Sequence, residues 1–278
     1  MELSIRHRLT VPIGEEVPRA TLHLLLTPQS SLLQTVKSWE LDAPGMDDAR
    51  GFIDAYGNRA HLATQTDPDP ELTVTATGVI ITHDRSGIVG RLDLDPVPAI
   101  FLRPTPLARP IGAITTKFRS TPTSGEERIA QLHALMARVA EVIGEVPEPE
   151  PAQTQMQSQG GQTQLQEQTA EEEAPPAQAA DFAHAFIGAA RSLDYPARFV
   201  TGYLAPEDHE DAAFHAWAEV WDDRLGWIGF DPMLDVCPTE RHVRLACGLD
   251  ADSTRPVRAV PLVGPPQSVL VDVQSAAD

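Results

Sequence analysis

The sequence predicts an α+β protein, with an N-terminal antiparallel β-sandwich over residues 1–105 and a mixed helix-and-sheet core over 106–278. Three observations carry that reading. Short alternating apolar runs separated by turn residues fill most of the first part. Two stretches with helical apolar spacing follow, one from Ser124 and one from Ala179. Two strand-like runs, Ala213–Trp221 and Trp227–Asp231, then flank a polar loop. A chain of 278 residues agrees with about two domains.

The elements can be taken in order. Leu3, Ile5, His7 and Leu9 alternate with mostly polar neighbours, as a half-buried strand requires. Similar runs lie at Ala20–Leu26, Ser31–Leu41, His61–Gln65, Glu71–Thr82 and Gly90–Leu94. Asp54-Ala55-Tyr56-Gly57-Asn58 and Asp67-Pro68-Asp69-Pro70 supply turns between them. A Pro-rich connector from Arg103 to Pro110 leads into a helix that opens with Ser124 and Glu127, the spacing of a capping box. Ile129, Leu132, Leu135, Met136, Val139, Val142 and Ile143 form its apolar stripe, which reads as core packing.

Residues 147–178 are rich in Gln, Pro and Glu. From Gln153 to Gln168 glutamine takes alternate positions on either side of Gly160-Gly161, which allows a hairpin with a glutamine ladder. The same composition also fits a disordered linker, because little apolar surface offsets the ordering entropy.

Composition excludes several function classes. The net charge of −19 argues against binding a phosphate backbone, which relies on Lys and Arg. No apolar run approaches the ~20 residues of a membrane span. The N-terminus lacks the basic-then-apolar pattern of a secretory signal, so a cytoplasmic location is expected. Cys237 and Cys247 are too few for a disulfide framework and lack zinc-ligand spacing. Cys247 reads as a small packed apolar residue.

The second helix carries Ala179-Ala180-Asp181-Phe182-Ala183-His184 at its head. Phe182, Phe186, Ala189, Ala190 and Leu193 form one face, Ala179 lies at its edge, and His184 falls opposite, toward solvent or a polar crevice. Asp181 suits the positive end of the helix dipole. In the run Ala213–Trp221, His215, Trp217, Glu219 and Trp221 share a face. Reading 222–226 as a five-residue loop, an odd number, puts Asp231 on the face of His215.

This ordered set, with Gly226-Trp227-Ile228-Gly229-Phe230-Asp231-Pro232, resembles the core of the bacterial transglutaminase-like family. Ser38-Trp39-Glu40 and Asp54–His61 resemble its N-terminal domain, and Ser192–Arg198 and Arg241-His242-Val243-Arg244 also fit. The resemblance implies a papain-like core. In the family a Gly-Val-Cys-x-Asp-Phe-Ala-His segment supplies the nucleophile, and a later His and Asp complete the triad. His215 and Asp231 fall on those positions, but the Cys position holds Ala179. The matching four residues read Ala177-Gln178-Ala179-Ala180, so more than the sulfur has changed.

A Cys–His–Asp site divides its labour: the thiolate attacks, imidazole carries the proton, and carboxylate holds the tautomer. Without the thiol, the expectation is a catalytically inactive transglutaminase-like protein that binds a peptide or protein partner in its cleft. The alternative is acyl transfer or peptide hydrolysis through a displaced nucleophile, Cys237, which has no helix N-terminus to activate it. A structural subunit docking an active homologue is a third reading. No cofactor is implied, and His215, Asp231 and Glu219 are not a recognised metal-ligand set.

Overall fold

The computed structural model describes residues 1–118, 120–144, 178–207 and 212–275. The strands and helices in chain order are β1 Glu2–Pro12, β2 Arg19–Thr27, β3 Gln34–Asp42, β4 Arg50–Ile53, β5 Arg59–Thr66, β6 Glu71–Thr82 and β7 Ile88–Gly90, then α1 Gly112–Thr115, α2 Gly125–Gly144 and α3 Ala179–Ser192. They continue with β8 Ala197–Leu204, β9 Ala213–Asp222, β10 Gly226–Phe230, β11 His242–Gly248, β12 Val257–Val260 and β13 Gln267–Ser275. The proposed glutamine hairpin lies outside the described residues.

Two four-stranded sheets, β13-β1-β6-β3 and β12-β2-β5-β4, form the sandwich. Every paired strand in them runs antiparallel. Alternate residues point inward, so Leu3 and Ile5 of β1 and Val74 of β6 meet Leu22 and Leu24 of β2 in one apolar core. The turn residues behave as their chemistry requires: Gly57 has φ +86° and Asp67 φ +46°.

The sandwich is completed by the far end of the chain. β13 adds to β1 and β12 adds to β2, while β7 leaves the N-terminal part to pair with β10. A division at 105/106 therefore gives the C-terminal strands to the wrong sheet. The run read as a strand over Gly90–Leu94 is also shorter and earlier, at β7.

The core sheet has the order β11-β8-β9-β10-β7. Helix α3 packs on one of its faces: Phe182, Phe186, Ala189 and Ala190 join Ala216, Ala218, Val220 and Phe230. Leu132, Leu135, Met136 and Val139 of α2 close the same cluster. A Cβ at Gly188 would come within 2.5 Å of the Arg109 carbonyl, so that glycine lets the connector lie directly on α3. Arg191 donates from its guanidinium to the carbonyls of Phe101, Ala197 and Leu249 and ties connector, helix and sheet together.

The edge strand β11 is finished by side chains from the sandwich. Gln34 donates to the Arg244 carbonyl at 2.8 Å and accepts from the Arg244 N–H at 2.8 Å. Asn58 does the same for Cys247, at 2.7 and 2.8 Å. Each amide supplies the donor and acceptor that a neighbouring strand would supply.

Candidate functional site

The β9–β10 ladder fixes the relation of the two residues read from sequence. Trp227 pairs with Trp221 and Phe230 with Ala218, so Asp231 follows on the face of Trp217 and His215. Asp222 itself pairs with Gly226, leaving a three-residue turn instead of five. The parity is unchanged. His215 Nε2 donates to Asp231 Oδ2 at 2.6 Å.

A residue that sequence reasoning left out of the site completes it. His242, at the start of β11, also places Nε2 on Asp231 Oδ2, at 3.0 Å. The other oxygen, Oδ1, accepts from the backbone N–H groups of Met233 and Leu234 at 3.1 and 3.3 Å. Asp231 is completely buried. Burial opposes its charge, but the hydrogen bonds from His215 and His242 and their attraction outweigh it and hold the carboxyl down at about 2.

The hydrogen bonds assign both tautomers. His242 Nδ1 accepts from the Thr239 N–H at 3.1 Å, so its proton is on Nε2. His215 donates from Nε2, which leaves the Nδ1 lone pair without a partner among the described residues. That is the arrangement of an oriented general base. Trp217 stacks beside His215 at 6.2 Å and crosses His242 edge-on at 5.4 Å. It lies across Gly202, where a Cβ would sit 2.6 Å from the indole and 2.0 Å from the Val243 carbonyl.

Ligand atoms of His215, Asp231 and His242 all lie within 4.8 Å of one another. Two histidines and a carboxylate can hold a divalent metal, but each imidazole must offer a lone pair. A metal-bound histidine donates its other ring N–H to a neighbour. His242 does the reverse, accepting at Nδ1 and keeping its proton at Nε2. The three groups fit a hydrogen-bonded cluster and do not fit a metal.

Glu219 belongs to a different arrangement. It is fully buried between Arg198, at 2.5 Å, and Arg244, at 2.9 Å, and Arg198 also reaches Asp95 at 2.8 Å. Burial penalises its charge, yet the two arginines hold its carboxyl below the usual range. The Arg198 guanidinium lies 3.9 Å above the Trp227 ring.

Ala179 is the first residue of α3 and packs, half-buried, on the cluster between the helix and the sheet. The Gln178 N–H donates to Asp181 Oδ2 at 2.8 Å, so Asp181 caps the helix as well as suiting its dipole. His184 does not face solvent. It is buried, stacks on Phe199 at 4.6 Å and accepts from the Ala251 N–H at 3.1 Å, because the segment after β11 covers the second side of α3. Cys237 lies half-buried in the loop after Asp231, and burial pushes its thiol up. Cys247 is buried, its thiol is likewise raised, and Sγ donates to the Tyr56 carbonyl at 3.5 Å.

Comparison with known proteins agrees with this architecture. The Transglutaminase-like superfamily profile matches residues 114–232, and the Bacterial transglutaminase-like N-terminal region matches 3–81. An uncharacterized protein of Mycobacterium leprae is 25% identical over 252 residues, covering 84% of each chain. A candidate cysteine protease from Cytophaga hutchinsonii has a similar fold, with a TM-score of 0.65 and 20% identity, covering 100% of this chain and 91% of its own. The periplasmic domain of Pseudomonas aeruginosa TgpA aligns at a TM-score of 0.32 and 17% identity, over 84% of this chain and 87% of that one. The two profiles are met in order along one chain, so residues 3–81 are similar to the bacterial N-terminal region and residues 114–232 carry a transglutaminase-like core.

Proposed function

We propose that this chain is a transglutaminase-like protein without acyl-transfer activity, and that its cleft holds a peptide or protein ligand instead of turning it over. One observation carries the reading. An oriented His215–Asp231 pair, with Nδ1 of His215 unpartnered among the described residues, is retained while the first residue of α3 is alanine. A methyl group has no lone pair with which to attack a carbonyl. The raised thiol of Cys237, on a loop, weighs against a displaced nucleophile. Two unpaired thiols suit a reducing cytoplasm.

The test compares the native protein with Ala179→Cys for hydrolysis of a glutamine peptide and incorporation of an amine. A silent native protein beside an active variant is the expected result. Native turnover that Cys237→Ser abolishes would overturn the proposal in favour of a relocated nucleophile.

A further inference from the structure

The connector between the sandwich and the helices has a charge unlike the rest of the chain. Residues 96–125 hold four of the 21 Lys and Arg and none of the 40 Asp and Glu, in a protein whose net charge is −19. The stretch is also apolar on its outside. Val97, Ile100, Leu102, Leu107 and Ile111 are between 36 and 71% exposed.

Its prolines explain why these side chains stay in water. Pro98, Pro104, Pro106 and Pro110 remove N–H donors and fix φ, so the stretch cannot join a sheet and turn its aliphatic residues inward. Phe101, Ala108 and Ile114 are buried and pin it to the body at three places. The Phe101 carbonyl accepts from Arg191 at 2.9 Å, and the Ala113 carbonyl accepts from Arg138 at 3.2 Å. From Leu102 to Ile111 every residue except Thr105 and Ala108 is exposed, on a backbone held in place.

Neighbouring carboxylates lie toward its two ends. Glu141 is near Lys117 but is paired with Arg138 at 2.5 Å. At the other end Asp54 and Asp250 share the surroundings of Tyr56 with Arg103. Asp93 and Asp95 precede the stretch, and Asp95 is held by Arg198 at 2.8 Å. Arg109, between Leu107 and Ile111, has no ion-pair partner among the described residues, and neither has Lys117.

A neutral apolar partner would strip water from these cations and give nothing back, whereas carboxylates beside aliphatic groups satisfy both. Elsewhere the acidic surface repels such a partner, and at physiological salt that repulsion reaches only about 8 Å, so contact is confined to this stretch. We propose that the outer side of the connector, from Leu102 to Lys117, docks an extended acidic segment of another protein, with its carboxylates on Arg109 and Lys117 and its aliphatic side chains against Leu102, Leu107 and Ile111. Neither His215 nor Asp231 takes part, so this surface stands apart from the reading of the cleft.

The probe is a fluorescein-labelled repeat of Glu-Leu-Pro, compared by anisotropy with Gln-Leu-Pro and Lys-Leu-Pro repeats against the full chain. Polyproline winding sets Glu and Leu on separate edges along the same length. The Glu peptide binds at least about tenfold more tightly than the Gln peptide, and the Lys peptide does not bind. Arg109→Glu weakens the Glu peptide about tenfold and Leu107→Ser about threefold, and both positions are exposed, so the fold tolerates them. Equal binding of the Glu and Gln peptides, or indifference to Arg109→Glu, would each overturn the proposal. Co-sedimentation with phosphatidylglycerol vesicles and no peptide binding would assign the surface to a membrane instead. Peptide binding that appears only after the seven Glu of residues 145–177 are replaced by Gln would make the chain's own acidic stretch the occupant, and the proposal would fall.

Discussion

β1 of the sandwich and β11 of the core sheet are both antiparallel strands, yet they bury their residues in opposite ways. β1 hides every second side chain and leaves the others to water, whereas all seven residues of β11 are buried. A sheet covered on one face can leave its polar residues outside. A sheet covered on both must satisfy most of them within, and the core sheet does so with two polar groups, leaving Arg198 Nη2, Thr201 Oγ1 and Trp227 Nε1 buried without a partner among the described residues. One is the ionic network of Arg198, Glu219 and Arg244, and the other joins His215 and His242 through Asp231. Buried polar chemistry is therefore concentrated in the doubly covered sheet, where the candidate site also lies.

The largest test of that contrast is Glu219→Ala. It strands two buried guanidinium groups and lowers unfolding stability by about 3–5 kcal/mol in urea titration, while Thr77→Ala on the outer face of β6 changes it by less than about 0.5 kcal/mol. Similar losses at the two positions would dissolve the distinction.

Acid titration separates the regions by their pKa shifts. His7, buried in the sandwich between the Tyr203 hydroxyl and Ser268 Oγ, has its pKa lowered by burial from 6.5 to about 4. The unfolded chain takes up a proton there first, so stability is full above pH 6.5 and falls by about 3 kcal/mol as pH drops to about 4. Asp231 acts later. Its carboxyl is held at about 2 against 3.8 when free, so its contribution of about 2 kcal/mol is present above pH 3.8 and lost as pH falls through about 2. His7→Gln should shrink the first arm of a stability–pH curve without removing it, because burial also lowers His184, and Asp231→Asn should shrink only the second.

The smallest effect is expected at His242. His242→Ala removes one of the two imidazole donors to Asp231, costs about 1–2 kcal/mol and raises the Asp231 pKa, which carboxyl-carbon NMR titration would register. An unmoved carboxyl resonance would show that His215 and the backbone N–H groups hold Asp231 alone.

The same contrast explains what could be read from sequence. On β1 and β6 the alternation of Leu3, Ile5 and Leu9, or of Leu72, Val74 and Ala76, is an imprint of one covered face, and those strands were legible. The odd turn parity linking His215 to Asp231 was legible too, because it is local. What escaped depends on distant contacts. His184 looked exposed on a helical wheel because a wheel cannot show the segment at Ala251 lying over it. β13 returns to β1 from the other end of the chain, and no local pattern announces that partner. His242 starts a strand separated from β10 by two others, so the spacing of residues gives no hint that it shares an oxygen with His215. The only available signal was its place in the Arg241–Arg244 segment resembling the family.

The amides that finish β11 also have a chemical lifetime. A strand edge made of backbone is inert, but one made of side-chain amides is thermolabile. Hydrolysis at Asn58 would place a new carboxylate where Nδ2 now donates to Asp54 at 2.9 Å and to the Cys247 carbonyl at 2.7 Å, turning two attractions into repulsions. Such a change would open that seam and leave a strand edge exposed to pairing with another chain.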